Sequence, residues 1–529
     1  MKHAKKCMVL LLVLAMLVSF GGCKKSDDTG KSTNGSNTTD TQKGDDKEAV
    51  KTYNGQDVSK PVELVLYYIG DVYKDQDKVM EEINKILKDQ INATITLKNI
   101  ALSDYTTKYA LTIAGGEKMD LIYTSSWAYY QTEATKGAFA EVTDQVLTDY
   151  MPLTKANQSE ASFGQAKIDG KVYFIPNNMS NVNANAIVIR GDLREKYGLD
   201  KLQTIEDLTT YYQAIANDKE SGVTFPYAAA QNNDLGKLIF YFANNDFVQI
   251  AGNVQNYFTY KYSDNVSSSD IFWIYDTEEY LAYAKLMKEW ADKGFWSKSS
   301  IANATDVKES FINGTSASYI QNLGTVGATA SQVTGTHPEW KPEVVDLTPD
   351  ANRFLGAYTG DGIAVLANSE NKERAFMAVD LLKFNEDLYN LARHGIEGVH
   401  YSKVGDDYWK AEANNDNWPF GNAVSWGFKN NMYERTREDT FPDQVAISDQ
   451  WKAKEKESPT AAFSFDDTNV KTEMANLQNV YIQYVPLLDL GLVDDVEGTI
   501  AKFQEQAERA GMQKIMDEVK TQLDAFFAR

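Results

Sequence analysis

Apolar residues follow two alternating spacings through the main part of the chain. The run PVELVLYYIGD at residues 61–71 lacks helical spacing and is rich in β-prone residues, so it predicts a buried strand that ends at Gly70. Four apolar residues then recur with the spacing of one helical face: Met80, Ile83, Ile86 and Leu87. Residues 91–100 alternate as a strand does, and residues 105–124 repeat the order of helix and strand. Strands that alternate with helices favour an α/β fold with a parallel, doubly wound sheet.

A second series of strands and helices follows. Residues 170–179 and 184–190 predict strands, and Thr204, three residues before an aspartate, predicts a capping box at the start of a helix. A long helix is expected over residues 277–293, where it ends at a glycine. From residue 468 onward the spacing is helical, so the last unit, residues 459–529, is expected to be helical and to pack on one lobe.

The N-terminus has a different pattern. Three lysines precede an apolar run at residues 8–20, which is too short for the roughly 20 residues of a membrane-spanning helix. Residues 1–22 are therefore predicted to be a secretory signal. Gly21 and Gly22 stand before Cys23, and this order resembles a bacterial lipobox, with Phe20 where Leu is usual. Cys23 is thus the expected lipidation site, and an ordinary signal peptidase site with an incidental thiol is the alternative.

Residues 23–60 are predicted to be a disordered tether. They are rich in Ser, Thr, Asn, Asp, Gly and Lys, a composition that cannot offset the entropy of ordering. Such a chain would hold a domain on the order of 30 Å from the membrane. The other cysteine, Cys7, lies in the signal, so the mature chain is expected to have no internal disulfide.

Charge and length narrow the possible functions. The 529 residues carry a formal net charge of −22, and loss of three lysines with the signal makes it about −25. A protein that binds nucleic acid or anionic lipid headgroups has the opposite balance. The part beyond the tether is long enough for two or three structural units with large cores.

Sequence segments along nearly the whole mature chain resemble the extracellular solute-binding proteins of ABC importers, in the group that includes sugar binders. The segments, in order, are YYIGD, GGEKMDLIYTSSW, KGAFAEVTD, DGKVYFIP, VIRGDLREKYGL, YIQNLG, YTGDGIAVLANSENKERAFMAVDLLKF and RHGIEGVHY. The end of the chain, from FSFDDTNV, resembles the C-terminal domain of a lipoprotein subgroup of that family.

The resemblance implies two α/β lobes of the type II periplasmic-binding-protein-like fold, with crossing segments at a hinge and ligand held between the lobes. Residues 62–172 and 318–362 would form the N-terminal lobe. Residues 173–317 and 363–458 would form the C-terminal lobe, on which the helical extension packs.

Signatures of catalysis are missing from the sequence. It has no GxSxG, P-loop or HExxH motif and no Cys/His metal pattern, so we expect no enzyme, no cofactor and no metal. A pair of catalytic carboxylates cannot be rejected from sequence in so acidic a chain, so a surface glycoside hydrolase is kept as an alternative.

Open α/β sheets bind ligands beyond the carboxyl ends of their strands. Tyr68 and Asp71 close the first predicted strand, Trp127 follows the strand that ends near residue 124, and Asp361 lies in a turn before another strand. A tryptophan ring can lie against the C–H face of a sugar, and a carboxylate can accept hydrogen bonds from its hydroxyls. Trp127 packed beneath a helix, and Asp361 as a simple cap, are the alternatives.

Five further residues are candidates for ligand contact. Trp418 and Trp426 lie in the loop NWPFGNAVSWGF, where they either face the ligand or anchor the loop. Arg190 ends a strand at a position that resembles a hinge, and Tyr319 and Asn322 flank a predicted crossing strand.

These observations favour a lipid-anchored receptor on the outer face of a bacterial cell membrane, expected to be Gram-positive. It would act as a monomer, bind a sugar or oligosaccharide and deliver it to the membrane subunits of an ABC permease. A peptide or amino-acid ligand, held by Asp361 and Arg190, is the first alternative. A scaffold or adhesion protein without ligand-dependent closure is a further one.

Replacing the predicted lipidation site tests the anchor. In Cys23→Ala we expect loss of lipid labelling and of the protein from the membrane fraction, because the thiol that carries the lipid is gone. Cys7→Ala, in the removed segment, is the matched control and should leave both unchanged. Unchanged fractionation of Cys23→Ala would show the lipobox interpretation to be wrong.

Overall fold

The computed structural model of the protein describes residues 50–528 apart from 127, 183, 231–240, 251–253, 255, 303–305, 420 and 464. The predicted signal, Cys23 and most of the predicted tether lie outside the described residues, as does Trp127. Among the helices in the described part of the chain, none is long and apolar enough to cross a membrane.

Strands and helices alternate through the chain. The strands are β1 Thr52–Tyr53, β2 Gln56–Asp57, β3 Val62–Ile69, β4 Ala93–Ile100, β5 Leu121–Thr124, β6 Lys167–Ile168, β7 Lys171–Val172, β8 Ile175–Pro176, β9 Asn185–Arg190, β10 Phe247–Gln249, β11 Phe258–Lys261, β12 Phe272–Trp273, β13 Ser318–Asn322, β14 Pro342–Val345, β15 Arg353–Phe354, β16 Gly362–Val365, β17 Tyr401–Val404, β18 Tyr408–Ala411, β19 Thr436–Arg437 and β20 Glu455–Lys456. The helices are α1 Gln76–Ile91, α2 Leu102–Ala114, α3 Tyr130–Thr135, α4 Asp144–Tyr150, α5 Pro152–Asn157, α6 Glu160–Gln165, α7 Gly191–Lys196, α8 Ile205–Asn217, α9 Glu278–Asp292, α10 Val307–Ile312, α11 Leu323–Thr336, α12 Lys372–Phe384, α13 Glu386–His394, α14 Pro442–Lys452, α15 Lys471–Asp489, α16 Val496–Ala510 and α17 Met512–Phe527.

The first lobe is built on a five-stranded sheet in the order β4-β3-β5-β16-β8. β3 runs parallel to β4 and β5, as the sequence predicts, whereas β16 is antiparallel to both β5 and β8. Residues 64–69 of β3 are all buried, as expected for a strand covered on both faces. Helices α1, α12 and α13 contribute to the same core.

The second lobe has a three-stranded antiparallel sheet in the order β13-β9-β14. Its largest core is rich in aromatic side chains and includes residues from α8, α9 and the C-terminal helices α15, α16 and α17. The C-terminal helices therefore share their core with this lobe. The α/β two-lobe fold with a helical C-terminal part, predicted from the sequence, is confirmed.

The division of the chain between the lobes differs from the expected one. β13 and β14, at 318–322 and 342–345, pair with β9 of the second lobe, although residues 318–362 were assigned to the first. Residues 363–428 contribute to the first-lobe core, although 363–458 were assigned to the second. A strand belongs to the lobe whose sheet it pairs with. Apolar periodicity alone does not predict which sheet a buried strand will join.

The residues predicted to cap the helices agree with the structure. The capping box of α8 is confirmed, since Thr204 Oγ1 accepts a hydrogen bond from the Asp207 amide at 3.1 Å and Asp207 Oδ2 accepts one from the Thr204 amide at 3.0 Å. α9 is capped by Thr277, whose side chain accepts from the Tyr280 amide, and Gly294 follows it with a φ of 76°.

Three connections cross between the lobes. They are residues 177–184 between β8 and β9, residues 346–361 between β14 and β16, and residues 438–441 between β19 and α14. On the second-lobe side, the middle connection is held by Arg353, which is fully buried. Its Nη2 donates to Asp346 Oδ2 at 2.6 Å, and Trp451 Nε1 of α14 donates to the same oxygen at 2.8 Å.

Removing this buried guanidinium should destabilise the protein strongly. In Arg353→Met the Asp346 carboxylate loses its partner in the interior, so we expect the free energy of unfolding to fall by about 3–5 kcal/mol. Arg509→Met is the matched control, because Arg509 pairs with Glu505 on the surface and the expected change is within about 1 kcal/mol. Equal denaturant midpoints for the two variants would contradict this role of Arg353.

Candidate ligand-binding site

The candidate site lies at the carboxyl ends of β3 and β5. The chain passes from β3 to β4 on one side and then to β5 on the other, which makes the gap between β3 and β5 the topological switch point of the sheet. The first and second connections reach the first lobe at this edge, through Asn177 and Asp361, so it faces the second lobe. Asp71, which follows β3, is exposed here.

Asp361 is the most connected polar side chain at this edge. Its Oδ1 accepts a hydrogen bond from the Tyr123 hydroxyl at 2.5 Å. Its Oδ2 accepts from Asn177 Nδ2 at 3.3 Å and pairs with Lys429 Nζ at 3.0 Å. A carboxylate has about four acceptor positions, so about one is left for a ligand.

The partners of Asp361 come from two connections and from the segment after the Trp426 loop. Asn177 begins the first connection and Asp361 ends the second, whereas Lys429 begins a segment that stays on the first lobe, where Asn430 Nδ2 donates to Lys383 O. Backbone bonds follow the same path, since the Asn177 amide donates to Asp361 O and the Asn178 amide donates to Lys429 O, both at 3.0 Å. One carboxylate therefore ties the first-lobe ends of two connections to this segment. A ligand contact by Asp361 stays a prediction.

The loop that carries Trp426 crosses the ends of β3 and β16. It passes so close that a Cβ at Gly427 would lie 2.9 Å from the Tyr68 hydroxyl. A Cβ at Gly70, which has a φ of 112°, would lie 2.6 Å from Ala423 Cβ. Two glycines are thus required by the close approach of the loop to the sheet.

Tyr68 holds this loop rather than facing open space. Its side chain is buried, and its hydroxyl accepts a hydrogen bond from the Gly427 amide at 2.6 Å. Burial raises the pKa of the Tyr68 hydroxyl well above its usual value, so the group stays protonated at neutral pH. Tyr68 therefore positions Trp426, the residue next to its hydrogen-bond partner Gly427.

The two loop tryptophans have different environments. Trp418 is completely buried in the first-lobe core, where Nε1 donates to Ala392 O at 3.2 Å and the ring packs edge-on against Tyr73. Trp426 is half-buried, with Nε1 donating to Gly421 O at 2.9 Å and the ring set edge-on to Tyr123. Trp418 therefore anchors the loop, and Trp426 has the surface that a stacking platform needs.

Asn322 lies at the end of the second-lobe sheet that the connections reach. It pairs in register with Asn185, the first residue of β9 after the first connection. Asn322 is exposed, and its Oδ1 accepts a hydrogen bond from the Thr325 amide at 2.9 Å as the N-cap of α11. Tyr319, three residues earlier, is buried in a smaller core of this lobe, which leaves it poorly placed for ligand contact.

Arg190 lies at the opposite end of β9 from the connections. Its Nε and Nη2 donate to the two carboxylate oxygens of Asp192 at 2.7 and 2.6 Å, and its guanidinium stacks on Trp340 at 4.0 Å. This bidentate pair satisfies the guanidinium of Arg190 within its own lobe. The pair of Asp361 and Arg190 considered for a peptide ligand is not formed, because each has a partner in its own lobe.

Sequence reasoning missed three residues of this edge: Tyr123, Asn177 and Lys429. Tyr123 and Asn177 lie inside predicted strands and Lys429 follows the loop of Trp426, and contacts between distant parts of the chain bring the three together. The only signal was the position of Lys429 just after the loop of Trp426. Across the part of the chain that the structure describes, no three His, Cys, Asp or Glu side chains come together to hold a metal ion.

Comparison with known proteins identifies the family. A model of bacterial extracellular solute-binding proteins matches residues 79–385, more than half of the chain, and a model of a domain of unknown function matches residues 459–528. A carbohydrate ABC transporter substrate-binding protein of Streptococcus pneumoniae serotype 4 is 22% identical over 88% of this chain and 91% of the relative. The polygalacturonan/rhamnogalacturonan-binding protein YtcQ of Bacillus subtilis is 25% identical over 76% and 75%.

Solved structures share the fold. The N-glycan transport solute-binding protein NgtS of Streptococcus pneumoniae has a TM-score of 0.71 at 21% identity, covering 89% of this chain and 100% of that one. The alginate-binding protein AlgQ2 has a TM-score of 0.63 at 18% identity, covering 88% and 98%. The protein thus belongs to the bacterial extracellular solute-binding proteins.

Proposed function

We propose that the protein is a lipid-anchored receptor that binds an oligosaccharide between its two lobes and delivers it to an ABC permease. The observation that carries this proposal is the half-buried ring of Trp426 beside hydrogen-bonding side chains at the edge that faces the second lobe. A sugar presents C–H faces to aromatic rings and hydroxyls to polar groups, which is the combination found there.

The charges at this edge favour a neutral ligand. Lys429 is paired with Asp361, and their side chains are only 20% and 15% exposed, so their charges largely compensate each other. Asp71 is exposed and accepts hydrogen bonds from hydroxyls without a counter-charge. Relatives with related folds include the NgtS protein in complex with Man1GlcNAc and with Man5GlcNAc, both neutral glycans.

Binding would act through closure of the lobes. Ligand shifts an equilibrium between open and closed forms only as far as it binds the closed form better, so contacts must come from both lobes. Trp426 and Asp71 supply the first lobe's contacts, and Asn322, exposed at the facing end of the second sheet, supplies one from the other side.

The membrane anchor belongs to the same proposal. Cys23 and most of the tether lie outside the described residues, and near the start of the described part Lys51 Nζ donates to Lys88 O at the end of α1. A lipid on Cys23 with a polar tether behind it would keep the receptor near its permease while the lobes stay free to move.

Calorimetry with a panel of ligands tests the function. We expect binding of at least one neutral glycan, with Man1GlcNAc, Man5GlcNAc, an oligogalacturonide and mixed short peptides as the panel. Burial of a ring on Trp426 should give a negative heat-capacity change. Binding of peptides alone would overturn the sugar assignment, and steady hydrolysis of a glycan would overturn the assignment as a receptor.

A pair of tryptophan variants locates the binding. Trp426→Ala should weaken glycan binding about tenfold, because an aromatic contact contributes on the order of 1 kcal/mol beyond its buried area. Trp340→Ala is the matched control, since Trp340 is also half-buried but packs on Arg190 at the far end of the second sheet. Equal losses of affinity in the two variants would show that the ligand does not bind at Trp426.

A further inference from the structure

Lys383 lies in the interior of the first lobe without a counter-charge. It belongs to α12, and it is 0% exposed. Its Nζ donates a hydrogen bond to Pro176 O, and no carboxylate among the described residues forms an ion pair with it. The ring of Phe384 is 5.9 Å from Nζ, at the outer limit of a cation–π contact. Lysines are almost never fully buried unless they are paired, so this position needs an explanation.

The charged groups around Lys383 are bonded elsewhere. Asp380, one turn earlier on α12, accepts hydrogen bonds from a tyrosine hydroxyl and from two backbone amides. Asp361 and Lys429 pair with each other at 3.0 Å. Burial lowers the pKa of the Lys383 amine well below its usual value, and no charged group of α1, α4, α5, α13 or β16 shifts it. An amine without a counter-charge in the interior takes its uncharged form.

The side chain of Lys383 fixes the start of the first connection. Pro176 is the last residue of β8, and its carbonyl accepts from both Lys383 Nζ and Gln158 Nε2, the latter at 3.1 Å. Asn177 follows directly, and its Nδ2 donates to Asp361 over a long 3.3 Å. Asn177 Oδ1 is buried without a partner among the described residues. The position of the Asn177 side chain therefore depends on how its backbone is held.

The main chain of Lys383 holds the other partner of Asp361 Oδ2. Lys383 lies in the last turn of α12, where carbonyls have no partner within the helix. Its carbonyl accepts a hydrogen bond from Asn430 Nδ2 at 2.9 Å, and Asn430 directly follows Lys429. Asn178 Nδ2 donates to Asn430 Oδ1 at 3.4 Å, which joins the two segments. One residue of α12 thus supports both side chains that bond Asp361 Oδ2.

We propose that Lys383 is a positioning residue of the hinge, which fixes the two segments that orient Asp361 and so sets the origin about which the lobes close. This role rests on the proposed function, and it acts on closure without contact between Lys383 and the ligand. Gln158 would still bond the Pro176 carbonyl if an apolar residue replaced the lysine. The lysine therefore costs stability, because its amine must give up water and charge, while it adds a fixed point at the hinge.

Unfolding at several pH values tests the state of the amine. In the unfolded chain a lysine binds a proton below about pH 10.4, whereas an uncharged Lys383 binds none in the folded protein, so the cost of burying it grows as the pH falls. The ratio of the wild-type to the Lys383→Met unfolding constant should rise about tenfold for each unit from about pH 9 to about pH 7. Lys372→Met is the matched control, because Lys372 is half-buried at the start of α12 and its Nζ also donates to backbone carbonyls. Its ratio to the wild type should not change with pH.

Glycan binding tests the positioning role. With Man1GlcNAc and Man5GlcNAc as probes, Lys383→Met in the full chain should weaken affinity about 3- to 10-fold, because one hydrogen bond that orders the hinge is lost. Lys372→Met should bind these glycans as the wild type does. Lys383→Leu gives the same comparison if Lys383→Met does not fold.

The outcomes separate the two proposals, because the unfolding measurements need no ligand. If the wild-type protein binds no glycan, the proposed function fails, and the role of Lys383 in closure fails with it. If the wild type binds and Lys383→Met binds equally well, only the positioning role is overturned. A ratio of unfolding constants that stays flat with pH would overturn the uncharged amine. Weaker binding together with the tenfold trend supports the role of Lys383.

Discussion

The carboxylate of Asp361 is the interaction on which the rest of this architecture depends. It joins the first-lobe ends of two connections to the segment after the Trp426 loop, through Asn177, Lys429 and its own backbone. A two-lobe receptor needs lobes that move as rigid bodies about a fixed origin. A largely buried carboxylate with several partners at one end of the hinge supplies that origin, because loss of its partners would leave a charge unpaired in a partly desolvated site.

The middle connection has a second anchor at its other end. Arg353 and Trp451 fix it to the second lobe through Asp346, and Arg353 precedes Asp361 by eight positions in the sequence. We infer that changes of backbone angle during closure concentrate between the two anchors, where Gly356 and Gly360 occur.

Local chemistry in the sequence predicted local structure well. The strand at β3, the helix at α1 and the capping box at Thr204 follow from periodicity and from hydrogen-bonding side chains, and they need no knowledge of distant residues. The two-lobe fold itself was predicted from the resemblance to a family. The positions of Tyr68 and Trp418 could not be predicted, because burial of a loop tryptophan or a strand tyrosine depends on which part of the chain covers it.

Long-range pairing accounts for the remaining differences. β13 and β14 join the second-lobe sheet, and Lys429 reaches Asp361 across 68 positions of sequence. Arg190 was a candidate hinge residue because it ends a strand. Its guanidinium instead pairs with Asp192, which is only two residues away. The sequence thus predicted candidate residues that lie at the ends of strands. It missed Tyr123, Asn177 and Lys429, because contacts near the hinge bring them together.

The proposed receptor function depends on closure of two lobes about the hinge at Asp361. Distances between spin labels measure this closure directly, with labels at Val72, an exposed residue beyond β3, and at Gly324, in the first turn of α11, in a Cys23→Ser background. A saturating neutral glycan should shorten this distance while a pair of labels within the first lobe, at Val72 and Lys108, stays unchanged. A distance between the lobes that does not change at saturation would contradict ligand-driven closure.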